Sequence, residues 1–181
     1  MNIIIIGCGR MGQGIAITFA LAGYKIQLID IKKRSNDNFT NLLIKINAEI
    51  SKNLKILNKI KLINKNKIKK ITSNIEIMQY WSNENIINSA DIIFECVPEK
   101  LKIKKNVFKL LSENTNKKTI ISSTTSTILS TDLAKYNRYP ERFLNAHWLN
   151  PPYLMPLIEI SPCTETSKSN IKKIYNLFIK I

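Results

Sequence analysis

The chain is short of glycine, with five in 181 residues, shorter still of cysteine, with three, and it has one histidine. Cys8, Cys96 and Cys163 are odd in number and lie far apart without metal-ligand spacing. That excludes a disulfide framework and a cysteine-built metal centre, and no metal is expected. Acidic residues are scarce as well: 13 stand against 28 basic ones, for a net charge of +15. A nucleic-acid partner is still not expected. All the basic residues except Arg10, Arg34, Arg138 and Arg142 are lysine, and they accompany a heavy use of isoleucine and asparagine. Such a combination reflects drift in base composition rather than a selected binding face, although a basic surface attracts a phosphorylated nucleotide or coenzyme A. No apolar run approaches the roughly 20 residues needed to cross a bilayer, so no membrane partner is expected. With the first strand starting at residue 3, no signal or transit peptide is expected and the expected compartment is the cytoplasm. The length suits a single domain, 1–181, with a core of its own.

The few glycines are concentrated where they matter. The opening stretch MNIIIIGCGRMGQGIA runs from a β-branched strand, 3–6, through Gly7, Gly9 and Gly12 into an apolar helical pattern. Gly7 lets the chain turn off the strand end, Gly9 carries no side chain to hold a pyrophosphate away, and Gly12 lets the helix pack close. Gly7, Gly9, Met11 and Gly12 are therefore the expected phosphate-binding residues, at a helix N-terminus whose free N–H groups and dipole favour anions. Cys8 reads as a small filler in this turn rather than a nucleophile. The helix closes at Gly23, a second strand follows at 25–29, and Asp30 ends it. A carboxylate there accepts both ribose hydroxyls of the adenosine and repels a 2′-phosphate, so NAD is expected over NADP. Lys32, Lys33 and Arg34 weaken that preference.

The remainder reads as alternating helices and strands. Residues 36–70 are polar and lysine-rich, with a helical stripe at Phe39, Leu42, Leu43, Ile46, Ile50, Leu54 and Leu57. That stretch is too long for one crossover helix and predicts a helical hairpin or a protruding arm. A strand near 75–77 and a small helix at 84–89 lead to 92–97, a nearly continuous apolar run expected of a buried parallel strand. Pro98 and Glu99 follow at its C-terminal end. A helix at 100–112, a strand at 119–122, a hydroxyl-rich turn SSTTS, a short helix at 131–136 and a strand at 143–148 come next. A strand at 157–160 and a helix at 167–181 complete the chain. The expected fold is α/β, a Rossmann-type doubly wound and mostly parallel sheet, with a long helical arm after the second strand.

His147 lies at the expected C-terminal end of a strand, on the same edge as Gly9, Glu99 and Ser126. Asn150 follows in an exposed proline turn, and Glu159 is a lone carboxylate inside the apolar run LMPLIEIS. A buried carboxylate is costly unless paired. Bonded to one ring nitrogen of His147, Glu159 fixes the tautomer and leaves the other nitrogen as a general base.

The GCGRMGQGIA turn, the ECVPEKLKIKKNVF block, the SSTTS turn and RFLNAHWLNPPYLMPLIEIS resemble the NAD-binding domain of the 3-hydroxyacyl-CoA dehydrogenase family over nearly the whole chain. The resemblance implies NAD-dependent oxidation of the 3-hydroxyl of an L-3-hydroxyacyl-CoA to the keto form. In that reading His147 is the base and Glu159 its orienting partner. Ser126 and Asn150 bond the substrate oxygen and the nicotinamide-ribose region, and Glu99 and Lys104 line the nicotinamide half of the cofactor. The helical arm matches the element that reaches coenzyme A. Thr124 stands where the fatty-acid enzymes usually carry asparagine. The turns lean towards relatives that oxidise free hydroxy acids, such as L-gulonate and carnitine dehydrogenases and lambda-crystallin. The family's helical C-terminal domain is absent from the sequence, so a separate helical domain or a homodimer is the expected partner beside the small-molecule substrate. An NAD-binding module without turnover is the remaining alternative.

Overall fold

Four consecutive isoleucines with no polar alternation can only be satisfied by a strand covered on both faces, and β1 (Ile3–Ile6) is such a strand. All four are fully buried; Ile3 and Ile5 enter one core, Ile4 and Ile6 the other. The computed structural model describes residues 1–181 in full. β1 pairs in parallel with β2 (Ile26–Asp30) on one side and β4 (Ile92–Glu95) on the other. β3 (Ile75–Gln79), β5 (Ile120–Ser123), β6 (Phe143–Trp148) and β7 (Ile158–Pro162) extend the sheet to the order β3-β2-β1-β4-β5-β6-β7. Only β7 runs antiparallel, against β6. The expected doubly wound sheet is observed, and the order reverses between β1 and β4. Ligands of open α/β sheets bind at the carboxyl ends of the strands at that point.

Helix α1 (Arg10–Leu21) begins two residues earlier than the apolar pattern suggests, so that Gly12 lies inside its first turn. Gly7 takes φ of +111°, a conformation open to glycine, and turns the chain off β1. A Cβ on Gly12 would lie 1.9 Å from the Gly7 carbonyl oxygen, so the helix packs on the turn itself.

The segment after β2 forms the hairpin rather than a free arm. α2 (Asn36–Lys59), about 36 Å long at 1.5 Å per residue, turns back into α3 (Lys67–Ser73). Ile46, Ile50, Leu54 and Leu57 bury one face of α2 in the same core as Ile3 and Ile5, while its lysines face outward. α4 (Leu101–Asn114), α5 (Ser130–Ala134) and α6 (Lys168–Phe178) complete the layers. α4 packs on one face of the sheet through Val107, Phe108 and Leu111, and α6 packs on the other through Ile174 and Leu177. No helix is long and apolar enough to cross a membrane.

Ala at Gly12 is expected to lower unfolding free energy by about 1–3 kcal/mol or more, because backbone must move to admit the methyl group. A Cβ on Gly9 meets nothing within 4 Å, so Gly9→Ala is expected to retain most of the wild-type stability. Urea unfolding of the two variants checks the contrast.

Candidate active site

The carboxyl ends of β1, β2, β4 and β5 surround a cleft of about 670 Å³. Gly7, Gly9 and Met11 form its floor, Asp30 stands at one end, and Glu99, Thr124 and Ser126 stand at the other. Gly9 is the N-cap of α1, with no side-chain cap and no acidic residue in the first turn. The first helical N–H groups are therefore unclaimed by the chain and open toward an anion. A side chain on Gly9 would project into empty space over this N-terminus. The cradle fits a pyrophosphate, and Arg10, Lys32 and Arg34 on the cleft walls add positive charge. Cys8 lines the same floor, and burial, reinforced by Asp30, pushes its thiol up to about 12. The thiol is protonated at neutral pH, as its reading as a filler requires.

Asp30 is not the free carboxylate expected from the sequence. Its Oδ2 pairs with Arg34 Nε at 2.5 Å, and its Oδ1 accepts from the Lys32 amide at 3.4 Å.

The opposite end is built on an ion cluster of Glu95, Lys104 and Glu99, of which the sequence points to Glu99 and Lys104 but not to Glu95. Lys104 was expected to line the cleft; instead its side chain is 1% exposed beneath it. Its ammonium lies 2.9 Å from both oxygens of Glu95 and 3.2 Å from Glu99 Oε2. α4 carries Lys104 on its inward face directly below the end of β4, so the side chain meets Glu95 before it can reach the surface. Glu95 is wholly buried and also accepts from Ser123 Oγ at 2.7 Å and the Val97 amide at 2.8 Å. Burial raises its carboxyl above the ordinary range, opposed by Lys104 and these hydrogen bonds.

Glu99 sits at the rim and organises the hydroxyl-rich turn after β5. Its Oε1 accepts from the Thr125 hydroxyl, the Ser126 amide at 3.1 Å, and the Thr127 amide and hydroxyl at 3.2 and 3.0 Å. Partial burial acts to raise this carboxyl; the Thr125 hydroxyl, the Lys104 charge and the Thr127 amide outweigh it and lower the pKa to about 2. Asn145 closes the turn from β6 by donating to the Thr125 carbonyl at 3.0 Å.

His147 and Glu159 face each other across the β6–β7 ladder, with Nδ1 and Oε2 2.6 Å apart. The pair forms as anticipated, but Glu159 is not buried: its side chain is 57% exposed, because β7 is the sheet edge. Asn150 is exposed and lines a second cleft of about 410 Å³ with Glu49, Asn53 and Tyr153; Arg10 belongs to both clefts.

Sequence reasoning passed over Glu95, Thr125 and Thr127. A single charge inside a strand buried on both faces was the available signal for Glu95, since such a charge requires a buried partner. The threonines carried no signal beyond their place in a turn.

Residues 2–181 match the family described as 3-hydroxyacyl-CoA dehydrogenase, NAD binding domain. The chain is 32% identical to the lambda-crystallin homolog of Rattus norvegicus over 181 residues, 99% of this chain and 54% of that protein. It is 33% identical to 3-hydroxybutyryl-CoA dehydrogenase of Clostridioides difficile over 180 residues, 98% of this chain and 59% of that protein. The solved (S)-3-hydroxybutyryl-CoA dehydrogenase from Ralstonia eutropha shares the fold with a TM-score of 0.88 at 24% identity, over 99% of this chain and 60% of that one. The chain thus spans a little over half the length of the curated relatives it matches.

Removing one partner of the buried cluster strands a charge, so Lys104→Met is expected to cost about 3–5 kcal/mol in urea unfolding. Glu99 gives an acid limb of its own. Its folded pKa lies below the ordinary carboxyl value of 4.5, so its stabilising contribution is complete above pH 4.5 and is lost as the pH falls toward 2. Stability measured across that window is expected to drop more steeply in the wild type than in Glu99→Gln.

Proposed function

The chain belongs to the 3-hydroxyacyl-CoA dehydrogenase NAD-binding-domain family, and on that premise we propose that it oxidises the 3-hydroxyl of an L-3-hydroxyacyl-CoA, such as 3-hydroxybutyryl-CoA, to the 3-keto form with NAD. The observation that carries the proposal is the 2.6 Å contact between His147 Nδ1 and Glu159 Oε2 at the carboxyl edge of the sheet. With Nδ1–H donated to Glu159, Nε2 is free to take the proton of the hydroxyl, and the carboxylate stabilises the imidazolium that results. Ser126 and Asn150 donate hydrogen bonds to the substrate oxygen and the nicotinamide-ribose region. Gly7, Gly9, Met11 and Gly12 hold the pyrophosphate and Asp30 the adenosine ribose. Glu99 faces the nicotinamide half, and Lys104 acts there through Glu99. Bound NAD supplies the acceptor for the electron pair of the oxidised carbon. Along α2, Lys52, Lys55 and Lys59 line one groove, cations suited to the phosphates of coenzyme A.

A free hydroxy acid of the gulonate or carnitine type is the second reading. Thr124 at the turn favours it; its hydroxyl donates to the Glu95 carbonyl at 3.0 Å. A helical domain beyond these residues or a second copy of the chain completes the substrate pocket in either case.

The test is NADH oxidation with acetoacetyl-CoA beside a panel of free keto acids, with and without a helical-domain partner supplied. His147→Ala is expected to lower the rate by about 10²-fold or more, and Glu159→Gln to lower it less, while both retain NADH binding. Acetoacetyl-CoA turnover supports the first reading, and turnover of a free keto acid alone supports the second. Binding without turnover of any substrate leaves a cofactor-binding module, and the absence of binding at millimolar NADH removes the basis of all three.

A further inference from the structure

We propose that Glu99 biases the cofactor cleft toward oxidised over reduced nicotinamide, by holding one uncompensated negative charge at the end of the cleft opposite Asp30. The inference rests on the dinucleotide reading of the cleft given above. Charge is distributed unevenly along that cleft. Arg10, Lys32 and Arg34 line its adenosine and phosphate portions, whereas the end formed by Glu99, Thr124 and Ser126 presents no cation. With Asp30 beside the adenosine ribose and the glycine turn under the phosphates, the Glu99 end receives the nicotinamide.

The one ammonium near that end is already spent inward. Lys104 is 1% exposed and contacts both Glu95 oxygens at 2.9 Å. Every hydrogen bond to the Glu95 oxygens comes from a donor: Lys104 Nζ, Ser123 Oγ and the Val97 amide. Lys104 Nζ can only donate and lies 2.9 Å from both Glu95 oxygens, and the Val97 amide adds another donor; this geometry holds Glu95 as a carboxylate against the upward pull of burial, and it neutralises Lys104. Two carboxylates then share one ammonium, and the excess charge lies on the carboxylate nearer solvent, Glu99, whose side chain is 36% exposed. Four donors from the Thr125–Thr127 turn converge on its Oε1 and hold the anion in place. They are the backbone and hydroxyl groups of the turn and bring no full positive charge.

The ring of NAD⁺ carries a positive charge and the ring of NADH carries none, while the adenosine and phosphate portions are the same in both. A fixed anion at the ring end therefore discriminates between the two forms through Coulomb attraction alone. Tighter hold on the oxidised form makes the bound reduced form a stronger electron donor, which favours ketone reduction on the protein. A tenfold preference corresponds to about 30 mV for a two-electron couple.

Calorimetric titration of the 181-residue chain with NAD⁺ and with NADH gives the ratio Kd(NAD⁺)/Kd(NADH). Glu99→Gln keeps an oxygen acceptor for the turn and removes the charge; the ratio is expected to rise about tenfold. Glu99→Asp keeps the charge and is expected to keep the ratio. Thr127→Lys places a cation on the exposed turn beside Glu99 and is expected to raise the ratio as Glu99→Gln does. If both dissociation constants move together and the ratio stays at its wild-type value in these two charge-altering variants, Glu99 only positions the turn and the proposal is overturned. Should Glu99→Gln not fold, Thr127→Lys decides alone. Failure of the wild type to bind either form overturns the dinucleotide reading and this inference with it, whereas binding of both with an unmoved ratio overturns this inference only.

Discussion

An ammonium with almost no access to water cannot be left unpaired, and the region around Lys104 is arranged to prevent that. α4 delivers the side chain beneath the end of β4, Glu95 takes it with both oxygens, and Glu99 takes the remaining direction at 3.2 Å. Because Glu95 belongs to β4 and Ser123 to β5, the cluster also couples two central strands to the helix between them. A buried ion pair contributes little net stability against an apolar replacement of the same shape, since desolvation offsets most of the attraction. Its value here is positional. The cluster aims Glu99 at the hydroxyl-rich turn, and that turn carries Ser126.

The other half of the cleft depends on closeness rather than charge. The Gly12 position leaves no room for a methyl group beside the Gly7 carbonyl, so α1 sits on the turn and directs its uncapped N-terminus into the cleft. Anion-binding capacity at this end comes from backbone dipoles and from Arg10, Lys32 and Arg34. One cleft thus has a positive half supplied by backbone and exposed side chains, and a negative end supplied by a buried cluster. That polarity suits a ligand with phosphates in the middle and a ring of variable charge at one end.

Much of this was legible from the chain. The β-branched run before Gly7, the spacing of the glycines and Asp30 at the end of the second strand specify a βαβ unit, because local backbone rules allow few alternatives. The His147–Glu159 pair was legible because a lone carboxylate in an apolar strand needs a partner. The partner is His147, but burial does not drive the pairing: Glu159 is exposed on the edge strand, and what joins it to His147 is the antiparallel register that sets the two residues opposite each other. Asp30 was legible as the acidic end of β2, yet its bond to Arg34 depends on how the loop after β2 folds back. That path is set by packing and not by the three intervening residue types.

By itself the sequence determined the parallel sheet, the glycine cradle and the set of polar residues brought to one edge, since periodicity, glycine placement and strand ends are local properties. Only the tertiary structure decided which charges meet. Glu95 sits in a run that reads as apolar, and Lys104 sits on a helix that reads as solvated. Their pairing follows from the register of β4 against β5 and the seating of α4 over both, which bury two charges that neither segment could bury alone. The same seating turned Glu99 from a residue after a proline into the anchor of the Ser126 turn.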